Sequence, residues 1–153
     1  MIPQKLKNNF NFKKILKYCS LSIKSESEVI SKLRDYEVSP EELTEMVDTL
    51  RVFKFFFSDD EYISRFLENL SSQKGYSKIQ LKQKLIRKGL PSKLINYHLD
   101  QFYKINESDQ ADKFIKKNYS KLLRKDKNKR INFLISKGFG VDSIKKRLIE
   151  YDL

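Results

Sequence analysis

The fold is decided by the stretch Leu85-Ile86-Arg87-Lys88-Gly89-Leu90-Pro91-Ser92-Lys93-Leu94-Ile95-Asn96-Tyr97-His98-Leu99-Asp100-Gln101-Phe102. Leu85 closes one helix. Gly89 follows four residues later, where a left-handed residue stops a helix and satisfies its last carbonyls. Leu90 plants an apolar side chain in the turn, and Pro91 stands at the entry to a second helix. Ile95, Leu99 and Phe102 then recur at spacings of four and three, which is one face of an α-helix.

The same pattern occurs twice more without a gap. Leu33, Val38, Leu43, Val47 and Leu50 carry the same offsets of 5, 10, 14 and 17, as do Leu134, Phe139, Ile144, Leu148 and Tyr151. The period is 52 residues, then 49. Self-similarity at such a period is the signature of a tandem helical array. Gly138 holds the turn position of the last copy; the first has Glu37 there, so its turn must differ or carry strain.

Start signals agree with this frame. Ser39-Pro40-Glu41-Glu42 is an N-cap serine followed by a proline at the first helical position. Ser25 with Glu28, Ser58 with Glu61 and Ser77 with Gln80 read as capping boxes. Each repeat also has a preceding helix, with apolar faces Phe12, Ile15, Leu16, Cys19 and Ile23; Tyr62, Ile63, Phe66, Leu67 and Leu70; and Ala111, Phe114, Ile115, Tyr119 and Leu122. The expectation is an all-α chain of nine helices, three tandem three-helix repeats forming an elongated, curved array. Its parts are a basic N-terminal extension over 1–10 and repeats over 11–57, 58–105 and 106–153. The run Val52-Phe53-Lys54-Phe55-Phe56-Phe57 falls at the joint after the first repeat, where its rings are expected to pack as core. A docking patch is the alternative.

Composition fits. Four glycines and three prolines in 153 residues are few for a β-rich domain. Hydrophobic residues make up 39% of the chain and charged residues 34%, which suits several small cores better than one thick one. One cysteine, Cys19, cannot form an internal disulfide, no run approaches a membrane span, and no leader segment is evident, so the expected compartment is the cytoplasm.

Catalytic chemistry finds no support. Asp59-Asp60-Glu61 are consecutive, so on a helix their side chains point about 100° apart rather than to one metal ion. They read as acids in a first helical turn that complement the macrodipole. His98 is the only histidine, lies between Ile95 and Leu99, and lacks the partners of a zinc site or a triad. No glycine-rich phosphate loop is present. The expectation is a non-enzyme with no cofactor and no metal.

What remains is charge. The formal net charge is +12, which implies a polyanionic partner, nucleic acid or an acidic protein surface, unless a lysine-rich proteome bias supplies the excess. It grows along the chain, +2 over 1–57, +4 over 58–105 and +6 over 106–153. Two clusters stand out. The first is Lys74, Lys78, Lys82, Lys84, Arg87 and Lys88; the second is Lys116, Lys117, Lys121, Arg124, Lys125, Lys127, Lys129 and Arg130. Their recurrence at matching places in two repeats suggests a continuous basic contact surface.

The stretch DDEYISRFLENLSSQKGYSKIQLKQKLIRKGL, Asp59 to Leu90, resembles the central module of the RecX family. The shared features are an acidic opening, an apolar-faced helix, a basic segment around a glycine, and a helix ending in Lys-Gly-apolar. Ile135-Ser136-Lys137-Gly138-Phe139 resembles the ending of the family's third module, and Leu33 to Leu50 fits the first without the Lys-Gly. The resemblance covers roughly residues 12–153. It departs from the family in using Lys, Ile, Asn and Phe where Arg and Ala are usual, with Ile63 in place of the alanine after the acidic opening. The resemblance implies a non-enzymatic regulator that lies along the RecA–single-strand DNA filament and limits its growth, strand exchange and ATP turnover; the expected state is a monomer. The competing reading is a direct DNA binder of helix-turn-helix type that needs no recombinase. A generic scaffold of the HEAT or TPR type fits less well, because those repeats are shorter or have fewer helices.

Overall fold

Capping decides where the helices begin. Ser25 and Glu28 form a reciprocal capping box that opens one helix, and Ser39 and Glu42 form another, with Pro40 at its first position. Ser77 and Gln80 exchange the same two bonds, 3.1 and 3.2 Å, and Glu61 N–H donates to Ser58 Oγ. The computed structural model describes residues 1–71 and 75–153. Its elements, in order, are α1 (Gln4–Lys7), α2 (Phe10–Leu21), α3 (Glu26–Asp35), α4 (Pro40–Val52), α5 (Asp59–Ser71), α6 (Lys78–Arg87), α7 (Ser92–Lys117), α8 (Tyr119–Leu123), α9 (Lys127–Ser136) and α10 (Val141–Glu150). Among the described residues there is no strand, and one isolated bridge joins Ser25 to Phe57. The protein is all-α.

The three turn positions share one backbone state. Gly89 and Gly138 have φ of 75° and 97°, and Glu37 adopts φ 57°. The first turn therefore has the same geometry as the others, and its non-glycine residue carries the strain. The residues at the repeated offsets are buried or half-buried throughout, with Leu33, Leu85 and Leu134 fully enclosed. Burying each leucine contributes roughly 1.5–3 kcal/mol.

The chain divides into two units. Unit 1 comprises residues 1–63 and 88–90. Its core is Leu6, Phe12, Ile15, Val29, Leu33, Met46, Val47, Leu50 and Phe56. The segment 1–10 thus contributes more than a basic tail, because α1 delivers Leu6 into this core. Of the aromatic run only Phe56 is enclosed, and Val52, Phe53 and Phe55 face solvent. The expected packing of all its rings is not met, because the chain leaves α4 and turns at Lys54 (φ 57°) with residues 52–55 all exposed before Phe56 returns to the core.

Unit 2 comprises residues 64–87 and 91–153. Its backbone is α7, 26 residues and about 39 Å long at 1.5 Å per residue. The boundary expected at 105–106 falls inside this helix, because Asn106-Glu107-Ser108-Asp109 contains nothing that breaks one. The change of repeat survives as an interruption in burial. Ile95, Leu99 and Tyr103 are enclosed, Ile105 is exposed, and Gln110, Ala111, Phe114 and Ile115 are enclosed again. The helix ends at Asn118, whose side chain donates to the Phe114 carbonyl at 2.9 Å. The helix expected to carry Ala111, Phe114, Ile115, Tyr119 and Leu122 on one face is thereby split between α7 and α8. Ten helices stand among the described residues where nine were expected.

Candidate functional site

The two units differ in charge. Unit 1 holds eleven basic and eleven acidic residues, whereas unit 2 holds 21 basic against 9 acidic, the whole excess of +12. Any polyanion contact is therefore concentrated on unit 2.

Its geometry starts at the segment leading into α6. Gly75 lies against the backbone of α7 so closely that a Cβ would stand 2.2 Å from the Phe114 nitrogen. Tyr76 follows, pinned at both ends of its peptide. Its N–H donates to Gln110 Oε1 at 3.1 Å, and its carbonyl accepts from the Tyr103 hydroxyl. Gln110 and Tyr103 are both buried, and burial pushes the Tyr103 phenol well above its ordinary range, so it stays a neutral donor. The half-buried Tyr76 ring then meets Lys84 of α6, 5.6 Å from its centroid, and Lys117 at the end of α7, at 5.9 Å. One lysine comes from each predicted cluster. A second ring, the half-buried Phe133 of α9, gathers Lys121 at 4.7 Å and Lys125 and Lys137 at 5.4 Å each. Phe133 packs on Phe114, which packs on Phe139. Phe114 thus links the Gly75 contact to the Phe133 ring.

The other predicted residues are placed as follows. Lys74 lies outside the described residues. Lys78 pairs with Asp100 of α7, Lys116 with Asp112 at 3.2 Å, and Lys129 with Asp126 at 3.6 Å. Lys82 is half-buried, and Arg87 and Arg124 are exposed. Lys127 lines an open groove of about 450 Å³ with Ile131, Leu148 and Ile149. Two members are engaged in the fold. Lys88 belongs to unit 1, where it pairs with Glu28 at 3.4 Å and lies over the Tyr62 ring. Burial pulls its ammonium down, and Tyr62 and Glu28 together more than offset this, leaving it above its ordinary value. The Arg130 guanidinium donates to the carbonyls of Leu122, Leu153 and Leu123, closing the end of α8 and the C-terminal segment. The sequence reading missed Lys137, Tyr76 and Phe133. Lys137 is the lysine of the Lys-Gly turn, and the two rings were invisible because aromatic residues are read as core by default.

Among the described residues no other site emerges. Asp59 accepts from the Ser27 N–H (3.0 Å) and hydroxyl, so it caps α3. Among the described residues no cluster of His, Cys, Asp and Glu has the arrangement of a metal site, and no helix is long and apolar enough to cross a membrane. Burial pushes the Cys19 thiol up to about 11, so it stays protonated at neutral pH.

Fold and charge define a class of protein: all-helical, with a strongly basic unit whose lysines gather round aromatic rings. Comparison with known proteins shows which of them the chain is similar to. The regulatory protein RecX of Clostridium botulinum (strain Eklund 17B / Type B) is 29% identical over 147 residues, 90% of this chain and 68% of that protein. RecX of Streptococcus gordonii is 31% identical over 150 residues, 94% of this chain and 57% of that one. The crystal structure of RecX from Lactobacillus salivarius matches with a TM-score of 0.73 at 19% identity, covering 93% of this chain and 94% of that one. No family model matches the chain. In sequence and in fold the chain is similar to RecX regulatory proteins, and the resemblance read from its modules is borne out. It spans between about half and two-thirds of the length of the curated relatives it matches.

Proposed function

We propose that the protein regulates the RecA recombinase. It binds the RecA–single-strand DNA filament and lowers its recombinase, ATPase and coprotease activities in recombination and repair. The observation that carries this reading is the likeness to RecX regulatory proteins over nine-tenths of the chain. The distribution of charge supports it, since a filament offers DNA phosphates and acidic protein surface to a unit carrying +12. In this reading Lys84, Lys117, Lys121 and Lys125 face the partner, while Arg130 and Lys88 hold the fold. The protein acts without a cofactor and without catalysing a reaction.

The test is RecA-catalysed ATP hydrolysis on single-strand DNA, titrated with this protein. Loss of turnover well below one copy per RecA protomer is expected. An effect only when the protein saturates the DNA would favour the second reading, a nucleic-acid binder independent of the recombinase. That reading draws support from the lysine-collared rings of unit 2, because lysine beside an aromatic face also suits bare single strands.

A further inference from the structure

We infer that Tyr76 is a stacking platform for an unpaired nucleobase, flanked by Lys84 and Lys117 as phosphate contacts. The inference deepens the proposed function, naming the part of a nucleoprotein filament that this face takes. It is tested without any recombinase, so the two readings fail separately.

Three observations carry it. First, the ring is aimed by a built support. Gly75 against the α7 backbone, the buried Gln110 on the Tyr76 N–H and the buried Tyr103 on its carbonyl fix the peptide on a helix rather than leaving it to a loop. Little ordering entropy is then lost on binding. Second, the ring is half-buried and keeps part of its surface in solvent, where core packing alone would enclose it. Third, the two ammonium groups stand at 5.6 and 5.9 Å from the centroid, near the outer limit of a cation–π contact. They are free to exchange a weak contact with the ring for a phosphate when a base takes its face.

An acidic peptide would use the lysines and leave the flat ring without a role. A duplex keeps its bases stacked on one another. Only a single strand offers both a π-face and phosphates at this spacing. Phe133, with Lys121, Lys125 and Lys137 round it, offers a second ring of the same kind in the same unit.

The chain has no tryptophan, so Tyr76→Trp introduces a single reporter. Its emission should be quenched on titration with an oligothymidylate of about 20 nucleotides at low salt. It should stay unquenched with an abasic strand of equal length or with duplex DNA. Tyr76→Leu should weaken oligothymidylate binding by roughly five- to a hundredfold and leave abasic-strand binding unchanged. Tyr76→Phe, which keeps the ring, should bind as the parent does. Binding without quenching, equal losses on both strands, or no measurable oligothymidylate binding by the parent protein would each overturn the platform. Circular dichroism of the Leu variant guards against a loss of fold, and the Trp reporter supplies an independent reading if that variant is unstable. Inhibition of RecA turnover alongside an unquenched reporter would sink the platform and leave the regulator standing.

Discussion

Unit 1 and unit 2 are built from the same helix–turn–helix pattern, yet one is neutral and the other carries all twelve excess charges. In unit 1 charges answer one another. Arg51 pairs with both Glu26 and Asp48, Lys5 with Glu45 at 3.6 Å, and Lys88 with Glu28. Both units lay lysines on rings, as Lys14 on Tyr36 and Lys24 on Tyr18 in unit 1, but in unit 2 basic residues outnumber acidic ones by twelve, and there Lys121, Lys125 and Lys137 meet round one ring, Phe133. Like charges drawn together cost self-repulsion that a folded scaffold has no reason to accept for its own sake. The contrast teaches that one repeat pattern can carry either matched charge, as in unit 1, or a large excess, as in unit 2, which the proposed function assigns to a partner.

The comparison breaks most sharply through the cores. Leu33 and Leu134 occupy the same repeat position, one in each unit, and both are fully enclosed. An aspartate at either place is a buried charge without a partner, and its cost of about 4–5 kcal/mol or more is enough to unfold the helices around it. Leu33→Asp should remove hydrogen-exchange protection from α3 and α4, and Leu134→Asp from α9 and α10. If each variant loses protection in its own unit alone, the units are separate cooperative bodies. If either variant melts both, the division describes packing and has no thermodynamic counterpart.

Charge reversal tests the functional half of the comparison. The triple variant Lys84→Glu, Lys117→Glu, Lys121→Glu should weaken binding to the RecA–DNA filament on the order of tenfold to a hundredfold. The slope of log affinity on log salt should fall by about 0.7 for each single-strand phosphate that is no longer neutralised. Reversing Lys13, Lys14 and Lys17 in unit 1 makes the same change in net charge and should do much less. Equal effects from the two triples would mean that net charge alone governs binding and that no face is special.

These contrasts were unevenly legible in the sequence. The repeat offsets announce the turns and most of the core, because a left-handed stop followed by four-and-three spacing leaves little choice of structure. The fusion of two helices into α7 was hidden, since the expected break at 105–106 rested on repeat arithmetic rather than on a breaking residue. The partition of charge was blurred for a related reason. Counted by repeats, charge rises in even steps of +2, +4 and +6. Asp59, Asp60 and Glu61 in fact fold with unit 1, and of the first basic cluster only Lys88 goes with them. The site itself was half legible: the lysine clusters stand out by spacing, whereas Tyr76 and Phe133 acquire meaning only when helices far apart in sequence bring lysines to their faces.

The finest contrast lies in the turns. Glu37 and Gly138 hold equivalent positions at φ 57° and 97°, so the first of these turns bears a conformational cost that the last avoids. Gly138 has a second constraint, because an added Cβ would stand 3.2 Å from Lys78 Cβ at the start of α6. Gly138→Ala should therefore destabilise by about 1–2 kcal/mol, through left-handed strain and the tight approach together. Gly89, at φ 75° with open space around it, separates the two effects: Gly89→Ala should cost only the strain, about 1 kcal/mol. Glu37→Gly should move the other way. It relieves the same strain but loosens the unfolded chain, so the net gain is smaller, about 0.5 kcal/mol. Chemical denaturation of the three variants reads all three values. A loss of stability in Glu37→Gly would mean that the glutamate side chain supports its turn by more than the strain it imposes, and the equivalence of the turns would then be one of backbone geometry alone.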